Sequence, residues 1–368
     1  MEHQFTKKII EILEKNFGER ARDVFEKSSL LQYLNIKTRS ATRGSKARGS
    51  FANLYAIYVL VEDYISNGFD EREGYEDYEG AQFSAIFNRQ RELPFGAKLQ
   101  NHALNSRMND EYKKYFKTSE FIPILRNLET KKYWINENLL KIRFHDVDFN
   151  IAKTVVDIID SYVSAKQSAF QNFIDTCEKL KKIHERNSSE VESFIYSLLG
   201  VNIDARVFEI VSFSILKTFY KDQTVFIGFS IDEIKEHNLI LYKTGRTNAN
   251  DGGIDFVMRP LGRFFQVTET LDVKKYFLDI DKIERYPVSF VIKSEDSIDD
   301  IKEKLEKAAK RTYSVRKVIK KYMECIEEII NIPVLKERLR KVVKEGELPE
   351  VLNEIIKHSK VEFNYEEG

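Results

Sequence analysis

The sequence predicts a mixed α+β protein: a largely helical region over residues 1–190, then a central mixed sheet flanked by helices over 191–368. Three observations point there. Only six prolines and fifteen glycines interrupt 368 residues, so long helices are permitted. In the first half, apolar residues recur at helical spacing, as at Ile9, Ile10, Ile12, Leu13 and Phe17. After the polar run His184-Glu185-Arg186-Asn187-Ser188-Ser189 the pattern changes to short β-prone segments alternating with helices.

Taken in order, residues 4–35 read as helix. Helices are also expected over 51–66 and 83–91, the second followed by the turn Leu93-Pro94-Phe95-Gly96. Between them, 70–79 is an acidic, tyrosine-rich loop. Residues 115–195 read as long amphipathic helix broken near 144–149, with apolar spacing sustained over 151–183. Ser189 is a candidate cap for a helix starting near Glu190. Helix is expected again over 205–220. Strands follow over 224–231, 239–242, 254–258, 263–268 and 288–292, and the tight turn Arg259-Pro260-Leu261-Gly262 joins the third to the fourth. From 297 onward the chain reads as helix, basic over 302–321 with Glu303 and Glu306 interleaved, which favours a solvated face.

Lys and Arg total 59 and so do Asp and Glu, with 42% hydrophobic residues. That balance excludes a polycation, a disordered acidic chain and a low-complexity protein. No apolar run reaches the roughly 18–20 residues of a membrane helix, and the charged N-terminus has no signal-peptide core. Two distant cysteines, Cys177 and Cys325, make no disulfide framework, and six scattered histidines make no zinc motif. A reducing, cytoplasmic location follows as the expectation. With zero net charge, any DNA contact must come from local patches. The segment 37–50 holds Lys37, Arg39, Arg43, Lys46 and Arg48 and no acid, and Arg89 and Arg91 precede the Pro-Phe-Gly turn. Arg39, Arg43, Lys46, Arg48, Arg89 and Arg91 are therefore candidate DNA-binding residues, because such groups contact phosphates and read guanine.

The segment carrying chemistry runs from 245 to 269. Asp251-Gly252-Gly253 is a turn that delivers the chain into an apolar strand, and Asp255 sits inside that strand between Ile254 and Phe256. A carboxylate there is disfavoured unless it meets a cation or hydrogen-bond donors. On the following strand Gln266 and Thr268 alternate with apolar residues and share a face. They can converge with Asp255 at one end of the hairpin. Oxygen ligands of this kind suit Mg²⁺, which keeps waters and a substrate phosphate in its shell and can activate water against a phosphodiester. Arg246, Asn248 and Asn250 in the preceding loop are candidates for contact with the scissile strand.

This arrangement resembles the PD-(D/E)xK nuclease superfamily, in the variant written Asp-Gly-Gly-x-Asp, strand, Gln-x-Lys that Mrr-like and many type II restriction endonucleases carry. The resemblance covers about residues 195–295 and implies a restriction-endonuclease-like core. It implies that Asp255 is the central metal ligand and Gln266 the second. It also implies that Glu209, in Val207-Phe208-Glu209-Ile210-Val211, is the helix carboxylate near the metal. The implied activity is Mg²⁺-dependent, sequence-specific cleavage of double-stranded DNA by a homodimer on a palindromic site, with a cognate DNA methyltransferase in the same system. The departure is Thr268, where the family has Lys. Lys243, Lys274 or Lys275 can substitute, or Glu269 can join the site if the strand ends or bulges. A modification-dependent or repair nuclease on the same core, and a catalytically inactive DNA-binding protein, are the alternatives. Thr268 favours the inactive form, and intact Asp255 and Gln266 speak against it.

Overall fold

A computed structural model describes residues 2–39, 47–144, 147–183, 187–244 and 254–363. The chain divides into two compact units, 1–173 and 174–367. The division falls inside a long helix, upstream of the polar run where the sequence pattern changes.

The first unit contains α1 (Thr6–Phe17), α2 (Ala21–Lys27), α3 (Ser29–Thr38), α4 (Ala47–Ser66), β1 (Ala81–Gln82), α5 (Phe83–Glu92), α6 (Met108–Tyr115), β2 (Ile124–Asn127), β3 (Lys132–Ile135), β4 (Lys141–Phe144), β5 (Val147–Asn150) and the start of α7 (Ala152–Ile183). The helix expected over 4–35 is three helices. Gly18, at φ +59°, ends α1, a conformation open to glycine. Ser28 caps α3 by accepting the Leu31 N–H at 3.2 Å. Residues 54–61 of α4 are all buried, so this helix is apolar all round and forms the centre of the unit.

The helix expected over 115–143 stops with α6. Two antiparallel hairpins, β2–β3 and β4–β5, take its place, and β1 adds to the free edge of β3. Tyr133, Trp134 and Ile135 are β-prone. The Asn127 side chain accepts the N–H groups of Glu129 and Thr130 at 2.9 and 3.1 Å, which folds the turn.

The second unit holds the rest of α7, α8 (Ser188–Ser197), α9 (Ala205–Tyr220), β6 (Thr224–Ile227), β7 (Lys235–Asn238), β8 (Ile240–Lys243), β9 (Phe256–Arg259), β10 (Arg263–Thr268), α10 (Val273–Lys282), β11 (Val288–Ile292), α11 (Ile298–Thr312), α12 (Arg316–Glu324), β12 (Ile326–Ile330), α13 (Ile332–Lys344) and α14 (Leu348–Phe363). Asn187, not Ser189, caps α8 by accepting the Glu190 N–H at 3.3 Å.

Five strands form one mixed sheet in the order β12-β11-β10-β9-β8. β8, β9 and β10 are an antiparallel meander, and β10, β11 and β12 run parallel. The parallel step from β10 to β11 requires a crossover, which α10 supplies. Every residue of β11 is buried, as expected for a strand covered on both faces. On one face α9 packs Phe213 against Phe256 at 5.1 Å and Tyr220 near Phe265 at 6.3 Å. On the other, Tyr276 of α10 lies over Phe290 at 4.4 Å in a cluster that includes Phe264, Ile301 and Leu305.

The expected helix after 297 is interrupted by β12, whose Ile329 and Ile330 are buried. The basic stretch of α11 is laced by Lys307–Glu303 and Lys310–Glu306 ion pairs, the pattern of a solvated face. Among the described residues, no helix is long and apolar enough to cross a membrane.

Candidate active site

The hairpin β9–β10 builds the site. Gly262, at φ +67°, closes its turn with an N–H donated to Met258 O at 2.9 Å. Phe256 pairs with Phe265 in the last rung of the ladder, and Asp255 directly precedes it. The ladder ends here in a clamp. The Asp255 N–H donates to Phe265 O at 3.0 Å, and its side-chain Oδ2 accepts the Val267 N–H at 2.8 Å. Asp255 thus brackets the Gln266 position and its carboxylate is fixed by a backbone donor. Its own carbonyl accepts the Thr244 N–H at 2.9 Å just past the end of β8.

Three charged side chains surround this carboxylate. Glu209, buried on α9, accepts Lys243 Nζ at 2.9 Å and the guanidinium of Arg206 one turn earlier. Arg206 also reaches Glu362 of α14 at 3.5 Å. Burial raises the Asp255 pKa above the usual carboxylate range, and the negative charge of Glu209 raises it further. The Val267 amide, Arg206 and Lys243 pull in the opposite direction. Lys243 and Arg206 supply the positive charge that two acids confined together in a desolvated site require.

Gln266 is buried, and its Nε2 donates to Val267 O at 3.3 Å. Its Oε1 is buried without a hydrogen-bond partner. A buried amide oxygen left unpaired costs about 1–3 kcal/mol, and an amide oxygen is a hard donor of the kind Mg²⁺ takes. Asp255 and Gln266 therefore fit the expected ion in kind. Among the described residues, no three His, Cys, Asp or Glu side chains gather to hold a metal. Most of the shell of an ion here would have to come from water and substrate.

Comparison with protein families, with curated proteins and with solved structures gave no match. The residues themselves carry the reading.

The other sequence candidates separate clearly. Lys243 stands at the site through Glu209. Lys274 and Lys275 are exposed on α10. Thr268 is buried, and its hydroxyl donates to Thr270 O at 3.2 Å, a local turn contact. β10 ends at Thr268, and the Glu269 carboxylate accepts Lys293 Nζ at 2.8 Å. Arg39 is exposed at the end of α3. Arg89 is held by Glu62 at 2.7 and 2.8 Å and approached by Glu92 at 3.6 Å, and Arg91 donates to Ala97 O at 3.0 Å. Both arginines thus have intrachain partners. Arg43, Lys46, Arg246, Asn248 and Asn250, the side chain of Arg48 and the Asp251-Gly252-Gly253 turn lie outside the described residues.

Sequence reasoning missed three groups. Arg206 lies three residues before Glu209, a helical ion-pair spacing that was legible. Lys293 follows β11, with its side chain only 4% exposed, and bonds both Glu269 and Ile203 O. Nothing in its sequence context marks it. His358 of α14 lies edge-on to Phe213 at 4.8 Å and bonds Glu354 at 3.0 Å. Burial lowers its pKa, and the Lys243 charge adds to this, while Glu354 opposes.

Proposed function

We propose that the chain is a Mg²⁺-dependent, sequence-specific endonuclease for double-stranded DNA, of the type II restriction class, on a restriction-endonuclease-like core. On this reading it works in the cytoplasm as a homodimer beside a cognate methyltransferase. The observation that carries the reading is the clamped Asp255, bonded to the residues on either side of Gln266, whose side-chain oxygen is buried and unpaired, with the Glu209–Lys243 pair acting on the carboxylate. The mixed sheet with helices on both faces supports it.

Asp255 and Gln266 would hold the ion. Mg²⁺, when bound, polarises the scissile phosphate and supplies a nucleophile at neutral pH. The Val267 N–H orients the Asp255 carboxylate. Lys243 supplies the positive charge that Thr268 cannot, and Glu209 fixes its ammonium at 2.9 Å. Arg39 and the basic segment after it would bind backbone phosphates.

Lys243 has a measurable signature. Its charge lowers the Asp255 pKa. Lys243→Met should therefore move the acidic limb of the cleavage pH profile to higher pH, while Lys243→Arg should leave it in place. A Met variant with an unshifted limb would remove Lys243 from the site.

Digestion of unmethylated and methylated phage DNA tests the class. Discrete fragments from unmethylated DNA support the type II assignment. Cleavage only of methylated DNA points to a modification-dependent enzyme, and a smear to a repair or nonspecific nuclease. Intact DNA in both digests, with salt-dependent binding retained, points to a binding-only protein.

A further inference from the structure

The first unit holds a cleft of about 320 Å³ that the nuclease reading does not use. The π-helical turn Ala103–Arg107 and α6 form one wall, and β2 with the residues just before it forms the other. A π-helical turn gives up regular helical hydrogen bonding, and such turns concentrate at functional sites.

The walls are fixed to each other. The Asn109 amide donates to Ile124 O at 2.8 Å and accepts the Ile124 N–H at 3.0 Å. It thereby pairs with the edge strand β2 as another strand would. The buried Tyr133 of β3 stands opposite Arg126 in the β2–β3 ladder, and its hydroxyl donates to Asn105 Oδ1 at 3.1 Å. That bond occupies the Asn105 oxygen and leaves its N–H groups as the donors it brings to the cleft. Ser106, Lys113 and Arg126 line the same space and are exposed. Among the described residues Lys113 and Arg126 have no ion-pair partner. Other basic groups of this unit are neutralised within the chain: Lys37 by Glu111 at 2.7 Å, Arg89 by Glu62 at 2.7 Å, and Lys132 by Glu79.

We propose that this cleft holds a backbone phosphate of the DNA duplex, with Lys113 and Arg126 as its cations and the Asn105 amide and Ser106 hydroxyl as neutral donors. A phosphodiester offers oxygens that accept and no group that donates, and these four side chains supply donors. The one acid on the lining is Asp110. Residues 103–127 carry five basic and three acidic side chains, and Lys37 already neutralises Glu111. The patch is therefore positive on a chain with zero net charge. The choice of DNA as the source of the phosphate rests on the proposed nuclease reading.

Titration of a fluorescein-labelled duplex with the full chain, in Mg²⁺-free buffer over a series of salt concentrations, tests this. Lys113→Gln combined with Arg126→Gln should lower the slope of log affinity against log salt by about two. Circular dichroism and melting should not change, because both side chains are exposed. Asp110→Asn should tighten binding, which a merely structural role would not do. Lys7→Gln on α1, an equal loss of charge outside the cleft, should leave the slope in place. Inorganic phosphate at constant ionic strength should not displace the duplex. A double variant with the wild-type slope, or a wild type that binds no duplex, would overturn the proposal. Displacement by inorganic phosphate would overturn it too, by assigning the cleft to a free anion. Binding is read separately from cleavage. Cleft-dependent binding by a protein that never cuts would defeat the nuclease reading and leave the cleft standing, and cleavage with an unchanged slope would do the reverse.

Discussion

Asp255→Asn should abolish Mg²⁺-dependent cleavage and, in the absence of metal, make the protein more stable at neutral pH. Both effects come from one carboxylate. Asn keeps an oxygen for the Val267 N–H, so the clamp at 2.8 Å survives. It removes the negative charge that burial and Glu209 disfavour. In the unfolded chain the side chain titrates near 3.9, and in the folded chain higher. Between those values the native state holds more protons than the unfolded one. Wild-type stability therefore falls as pH rises through that window, and the penalty is complete above it. The variant lacks the penalty. Its gain should be about 1–3 kcal/mol, the scale for one buried polar group, and should vanish in acid below the ordinary carboxylate range. Cleavage should fall by at least about 10²–10³-fold, as when one stabilising group is removed from a transition state. Thermal melts across that pH range, paired with digests, check both halves. A variant that is less stable than wild type at neutral pH would contradict the electrostatic account.

Phe290→Ala should be the most damaging single core change in the second unit. Phe290 is fully buried at the middle of β11, with β10 on one side and β12 on the other. Its ring meets Tyr276 of the crossover helix at 4.4 Å. Removing it opens a cavity between sheet and helix, at a cost of about 3–5 kcal/mol against a total domain stability of about 5–15 kcal/mol. Phe290→Leu keeps most of the volume and should cost about 1.5 kcal/mol or less. Urea unfolding of the two variants reads the difference. Equal midpoints would place the centre of the core elsewhere.

How much of this was legible in the sequence depended on how local each determinant is. The span 263–268 reads directly as a strand because alternation and a Pro-Leu-Gly turn specify it, and β10 covers those residues. The long helix α7 follows from sustained apolar spacing. The nominated Asp255 sits at the end of the hairpin ladder, where it bonds the main chain on either side of Gln266. The hairpins between 124 and 150 were hidden because a short segment with both aromatic and charged residues suits either helix or strand until packing decides. β12 was hidden in basic, helical surroundings, since only its neighbour β11 shows that Ile329 and Ile330 are buried strand residues. Lys293 could not be read at all, because its partners Glu269 and Ile203 come from distant parts of the chain. The ion pair of Lys243 with Glu209 likewise joins α9 to β8 through tertiary structure alone.

The measurement that bears most directly on the central claim is a digest of unmethylated phage DNA by wild type and Asp255→Ala, each with Mg²⁺ and with EDTA, alongside DNA-binding titrations. The site described above predicts discrete Mg²⁺-dependent fragments from wild type, none from the variant, and similar DNA affinity for both. Intact DNA from wild type with Mg²⁺, or equal cutting by the variant, would contradict it.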